Sequence, residues 1–178
     1  MLKDDRHRLR AMEPADVDLL YCWENASEDW WMGATLSPIS REAMMQFVTG
    51  NHDIYKDRQL RWMLDASLDA TWTTVGAVDM YDFEPRQGRA GVAVHIDQGH
   101  RRQGHALRGL QLLARYAEQH LGLQQLYAEV PASNRASLSL FGMAQFQETG
   151  RRTAWIRSAK GDWEDVLTLQ RFFNPTGA

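Results

Sequence analysis

Between Ala90 and Ile96 the chain alternates: Ala90, Val92, Val94 and Ile96 are separated by Gly91, Ala93 and His95, the period of a half-buried strand. From Leu107 the period changes. Leu107, Leu110, Ala114, Ala117 and Leu121 recur at spacings of three and four, which predicts an apolar stripe along a helix of about five turns. Between strand and helix lie Gly99, Arg101, Arg102 and Gly104 and no proline, so a strand, a donor-rich loop and a helix follow one another.

The same reading orders the rest. Arg8 to Met12 alternates as a first strand, and Glu13-Pro14-Ala15-Asp16 opens a helix with a proline and acids in its first turn, ending about Asn25. Ala26 to Ser40 has no period. Ser40 reads as the N-cap of a second helix to about Thr49, and Asn51 to Asp57 as a short polar turn. Leu60 to Asp65 and Trp72 to Tyr81 are two strands of a hairpin joined through Ser67 to Ala70, and Glu84 to Arg89 is a polar turn. After the long helix come a strand from Leu123 to Val130, a short helix capped by Ser133 or Asn134, and two strands, Thr153 to Arg157 and Trp163 to Leu169. With no repeat or linker, one domain over residues 1–178 is expected, its core about 8–172 and its tail, 174–178, frayed.

Composition narrows the classes. Lys and Arg number 20 against 23 Asp and Glu, a net charge near −3, so no basic footprint for nucleic acid is present. No apolar run reaches the length of a membrane span and the first residues are too polar for a signal peptide, so a cytoplasmic protein without membrane contact is the expectation. The single cysteine, Cys22, reads as a small buried hydrophobe in a helix rather than a nucleophile. His95, His100 and His105 lack cysteine partners and helical carboxylate spacing, so no metal is expected.

Chemistry concentrates in three places. At the loop, the first N–H groups of the helix and its dipole favour a phosphate or pyrophosphate. Gly104 and Ala106 let the anion approach the backbone, and Arg101 and Arg102 add charge. No Gly-Lys-Ser/Thr follows and no three-glycine fingerprint is present, so this is neither a Walker loop nor a dinucleotide turn. In the strand ending Asp79-Met80-Tyr81-Asp82, two carboxylates stand where strands disfavour them. They are suited to bind an amine or take its proton, or they mark a solvated strand end. Trp30 and Trp31, beside acids in an irregular segment, form either a substrate-pocket wall or a loop pinned to the body.

The pattern Arg101-x-x-Gly104-x-Ala106 between a strand and a long helix resembles the acyl-CoA pyrophosphate loop of the GNAT superfamily of N-acetyltransferases. The order of elements resembles that family from Arg8 to Phe172. Gly76-Ala77-Val78-Asp79-Met80-Tyr81-Asp82 and Asn134 with Leu140-Phe141 are similar to motifs of its branch that acetylates ribosomal-protein N-termini and spermidine.

The resemblance implies an α/β (α+β) fold with a mixed, mostly antiparallel sheet of about seven strands splayed at the acyl-CoA strand, and about four helices. It implies direct acetyl transfer from acetyl-CoA to a primary amine, polyamine-like or a peptide N-terminus, in a ternary complex. Gln103, Gly104, His105, Ala106 and Leu107 with Arg101 and Arg102 would hold the pyrophosphate. Val94, His95 and Ile96 would bind the pantetheine arm, with Asn134. Asp79 and Asp82 would serve catalysis, and Glu24, Trp30, Trp31, Asp79 and Tyr81 would line the acceptor pocket. Phe141 occupies the place of the family's usual tyrosine acid and carries no hydroxyl, so either a water or Ser137, Ser139 or Tyr127 would protonate the thiolate or the thiolate would leave unassisted. The alternative is a catalytically weak or inactive CoA-binding sensor. A homodimer is plausible from the family.

Overall fold

The computed structural model describes residues 2–26, 37–158 and 160–173. Strands β1 (Leu2–Lys3) and β2 (His7–Arg10) lead through a 3-10 turn at Pro14–Asp16 into α1 (Val17–Glu24). Helices α2 (Arg41–Thr49) and α3 (Ile54–Asp57) precede β3 (Leu60–Leu68), β4 (Thr71–Glu84) and β5 (Arg89–Ile96). Then come α4 (His105–Gln119), β6 (Gln125–Pro131), α5 (Arg135–Met143), β7 (Gln147–Arg157) and β8 (Trp163–Phe172). The strands make one sheet in the order β1-β2-β3-β4-β5-β6-β8-β7, with β5 and β6 its parallel pair.

This is the mixed, mostly antiparallel α/β architecture expected, with eight strands and five α-helices among the described residues. The added strand, β1, has two residues, too few to register a period. The added helix, α3, is a single turn that Asp53 starts by accepting the Tyr55 N–H, where a polar turn is expected. Ser40 caps α2 as read, accepting the Ala43 N–H. Glu13 and Asp16 form a reciprocal capping box around Pro14.

Two layers sandwich the sheet. The stripe of α4 (Leu110, Leu113, Ala114, Ala117) packs on Leu64, Val78, Met80 and Val92. Gly109 lets this helix lie close, because a Cβ there would stand 2.9 Å from Val78 and 3.0 Å from Leu64. Leu113 is fully buried, so its truncation to Ala costs about 2–5 kcal/mol. On the other face α1 and α2 bury Leu20, Met44 and Val48 against Met63. Cys22 departs from its reading: it sits on the outer side of α1 and is exposed.

Two irregularities shift side chains. The β3–β4 hairpin turns tightly on Asp69 and Ala70, both left-handed at φ 48° and 63°, as a two-residue turn matching strand twist requires. A register shift between Leu64 and Asp65 then moves the rest of β3 by one residue against β4. A second shift, between Tyr81 and Glu84, lies where β4 meets β5. Among the described residues no helix is long and apolar enough to cross a membrane.

Candidate active site

The loop from Asp97 to Gly104 joins β5 to α4. Asp97 starts it by accepting the Gly99 N–H at 3.1 Å and the Trp23 indole N–H at 2.9 Å. The indole bond, against the cost of burial, together with the Gly99 N–H holds the Asp97 carboxyl below its ordinary value. The Arg101 Nε donates to the Ile96 carbonyl at 3.0 Å and the Gln103 amide to the Gly99 carbonyl at 3.2 Å, folding both side chains back over the loop. Gly104 has φ +85°, which an L side chain rarely adopts, and a Cβ there would meet nothing within 4 Å. Among the described residues no acceptor takes the main-chain N–H groups of residues 102 to 107. An open space beside a run of six N–H groups at the positive end of a fifteen-residue helix fits a pyrophosphate.

His105, the first residue of α4, turns its side chain inward and is 6% exposed. Its Nδ1 lies 2.9 Å from the His7 Nε2, while its own Nε2 is buried with no partner among the described residues. From this position the main-chain N–H, not the ring, faces the loop opening. Leu107 packs on the core below.

Strands β5 and β6 pair over Arg89, Ala90 and Gly91 and part beyond Gly91. Residues Val92 to Ile96, Val94, His95 and Ile96 among them, keep β4 as neighbour on one side and face a gap on the other. Alternate main-chain groups of a strand point to each side, so about half of those in this stretch open onto the gap. The His95 ring rests on Trp23, centroids 4.8 Å apart.

At the parting point Tyr81, Gly91 and Tyr127 stand in register across three strands. The Tyr81 ring occupies the space a side chain at 91 would need, since a Cβ there would lie 2.2 Å from it, and Tyr127 stands edge-on at 5.8 Å. Burial, with the neighbouring carboxylates, pushes the Tyr81 hydroxyl up to about 12.

The two carboxylates read from the sequence have different surroundings. Arg61 holds Asp79 in a two-pronged pair, Nε to Oδ1 at 2.7 Å and Nη2 to Oδ2 at 3.0 Å, and also reaches Glu24 at 2.6 Å. Burial opposes the Arg61 charge, but Asp79 and Glu24 outweigh it and hold the guanidinium above its ordinary value. Asp82 has φ 48° at the β4 bulge, a conformation that Asp tolerates better than most. The bulge lets consecutive residues Tyr81 and Asp82 line one groove of about 590 Å³. The Tyr127 hydroxyl donates to Asp82 Oδ2 at 3.0 Å, and burial together with that bond pushes the hydroxyl well up. The groove also takes in Arg58, Glu84, Arg89, Glu129 and Arg152, of which Arg58 pairs with Glu84 and Arg152 with Glu129, each at 2.6 Å.

The structure thus brings Asp82, Tyr81 and Tyr127 together, while Asp79, on the same strand, and Glu24, on α1, are both held by Arg61 of β3. Asn134 caps α5, its Oδ1 accepting the Ser137 N–H at 3.0 Å. Phe141 is 5% exposed and packs edge-on Phe146 at 5.0 Å. Trp30 and Trp31 lie outside the described residues. Sequence reasoning missed Arg61, Arg58 and Arg89; the charged residue between Leu60 and Trp62 in a strand was the available signal for the first. Histidines and acids come together nowhere in a group of three able to hold a metal, among the described residues.

Two strands that part beside an open helix N-terminus, with a groove of titratable side chains on the sheet face away from that helix, suit the transfer of an acyl group from a CoA thioester. The chain belongs to the GNAT acetyltransferase family: the family model for the acetyltransferase (GNAT) domain matches residues 6–147. Its co-substrate is therefore acetyl-CoA, and the loop and gap described above fit it. Two solved structures from Vibrio cholerae share the fold. Spermidine N-acetyltransferase in complex with CoA and spermine is 19% identical, with 95% of this chain and 96% of that one covered and a TM-score of 0.81. The dodecameric structure of spermidine N-acetyltransferase in an intermediate state is 19% identical over 98% of this chain and 100% of that one, with a TM-score of 0.78. No curated protein matches the sequence.

Proposed function

We propose that this chain transfers an acetyl group to a primary amine seated at the β4 bulge, with Asp82 and Tyr127 handling the amine's proton. The observation that supports this is the Tyr127–Asp82 bond at 3.0 Å in a groove that begins where β5 and β6 part. Acetyl-CoA, when bound, supplies the thioester that the amine attacks. Residues 102–107 hold its pyrophosphate through their N–H groups, and Val94, His95 and Ile96 offer main-chain partners to the pantetheine arm.

Asp82 is the lining carboxylate that no guanidinium neutralises among the described residues, so it draws an ammonium. The ammonium first gives one proton to solvent, and the proton that the attacking amine then loses passes to the Tyr127 oxygen as the Tyr127 proton moves to Asp82 Oδ2. The same hydroxyl can return it to the departing sulfur, a task Phe141 cannot perform. Asp79, with Glu24, shapes the neighbouring wall through Arg61, and Tyr81 forms the floor over Gly91. The primary-amine class spans polyamines, as the two neighbours' names would have it, small monoamines and peptide N-termini. One catalytic domain over the whole chain and self-association, as in the dodecameric neighbour, belong to the same reading.

The test is release of free thiol from acetyl-CoA against a panel of primary amines, repeated with Asp82→Asn. Acceptor-dependent release that falls about 10²-fold in the variant supports the assignment. Tight acetyl-CoA binding with no release for any acceptor would instead favour a CoA-binding sensor.

A further inference from the structure

The groove at the β4 bulge is charged in both senses. Three carboxylates (Asp82, Glu84, Glu129) and three guanidinium groups (Arg58, Arg89, Arg152) line it. Two of each sign are spent on one another, Arg58 on Glu84 and Arg152 on Glu129. Asp82 and Arg89 remain, with no ion pair between them or to any other described residue.

Their placement separates the two charges. Asp82 is turned to Tyr127, which stands level with Gly91. Arg89 lies two residues before Gly91 on β5, about 7 Å along the strand. Glu84 stands opposite Arg89 in register, but its carboxylate is committed to Arg58. On the other side Arg89 faces Gln125, whose amide oxygen accepts from Gln170. Among the described residues no carboxylate therefore pairs with the Arg89 guanidinium, and the amides of Gln125 and Gln170 lie beside it.

We infer that the acceptor carries an anion as well as its amine: an amino acid whose ammonium is held by Asp82 and Tyr127 and whose carboxylate is received by the Arg89 fork. This rests on the transferase reading above. A bidentate guanidinium–carboxylate pair is directional and charge-assisted, so it discriminates strongly against an acceptor that lacks the anion. A polyamine gains from Asp82 alone and places further positive charge near Arg89.

The experiment compares matched pairs that differ only in the carboxylate, 4-aminobutyrate with butylamine and lysine with 1,5-diaminopentane, and adds spermidine. The readout is kcat/KM for thiol release. The carboxylated member is expected to be preferred by about 10- to 100-fold. Arg89→Gln is expected to bring that ratio to within about 3-fold of unity and Arg89→Lys to restore part of it, since Lys keeps the charge and loses the fork. Arg89 is exposed, so both variants should fold, which their thermal melts check. Equal rates within each pair, a preference for spermidine, or a ratio indifferent to Arg89→Gln would overturn the inference while leaving the transferase reading standing. Bound acetyl-CoA with no release from any of the five would overturn both.

Discussion

The loop before α4 and the bulge in β4, the two regions to which the proposed function assigns the chemistry, are built from opposite materials. At the loop the chemistry lies in main-chain N–H groups, and the side chains mostly fold back on the loop or turn inward, as Arg101, Gln103 and His105 do. At the bulge the backbone serves only to aim side chains, with β4, β5 and β6 each contributing one or more of Tyr81, Asp82, Arg89 and Tyr127. A site made of backbone tolerates many side chains and few changes of dihedral angle. A site made of side chains tolerates the reverse.

The sharpest way to break this contrast is Gly104→Val. The residue has φ +85°, where a β-branched side chain is strained by about 1–3 kcal/mol, and a side chain would fill the open space beside the N–H groups. Acetyl-CoA affinity is expected to fall by about 100-fold or more, equivalent to roughly 3 kcal/mol, with the fold retained. Titration calorimetry and a thermal melt measure both, and unchanged affinity would show that the loop does not hold the anion.

Next in size are the two aspartates. Asp82→Asn should lower kcat/KM for the acceptor by about 10²-fold and Tyr127→Phe by about 10-fold, acetyl-CoA affinity being measured alongside. Asp79→Asn should act chiefly on stability, by about 1–3 kcal/mol, because it removes one of the two acids holding Arg61. Activity losses ranked the other way, with Asp79→Asn the more damaging, would move the proton chemistry to Asp79.

The loop was legible in the sequence because everything it needs is local: an alternating strand, Gly104 and the stripe of α4 lie within one continuous segment. At the bulge Tyr81, Asp82 and Tyr127 were legible as candidates but their grouping was not, since both register shifts displace side chains that a period of two would put elsewhere. Counting back from the Leu68–Thr71 pair without a bulge would set Arg61 opposite Val78; the shift between Leu64 and Asp65 sets it opposite Asp79. Likewise strict alternation puts Asp82 on the face opposite Tyr81, whereas the second shift lets both line one groove. Asp79, read from the sequence with Asp82 as a catalytic carboxylate, is in three dimensions one of two acids that share Arg61.

A smaller effect tests the frame that carries both regions. Asp16 is buried, which alone would raise its carboxyl, but the Arg10 guanidinium at 2.7 Å and the Glu13 N–H outweigh that and hold it below the ordinary value. A carboxyl depressed in the folded state adds stability that is present above its unfolded value, about 3.9, and lost as pH falls through the folded one. Asp16→Asn should therefore lower Tm at pH 7 while the gap to the parent closes below about pH 4. A gap independent of pH would mean that the bond, not the charge, carries the effect.

The smallest change separates main chain from side chain at the loop itself. Burial, first of all, holds both His7 and His105 below the ordinary histidine value; Asp4, Arg6, Arg108 and His100 are the charged and titratable neighbours that adjust it. The unfolded chain then takes up protons first, so stability should decline as pH falls through about 6.5 toward the folded values. His105→Leu removes one of the two rings and its unpartnered Nε2 while keeping the N–H that opens α4. The acid-side fall in Tm should shrink by about 2–4 °C, equivalent to about 1 kcal/mol at this length. Acetyl-CoA affinity should stay within about 3-fold of the parent, less than 1 kcal/mol. A large loss of affinity with intact folding would assign the contact to the imidazole, and the loop would then belong, like the bulge, to the sites built from side chains.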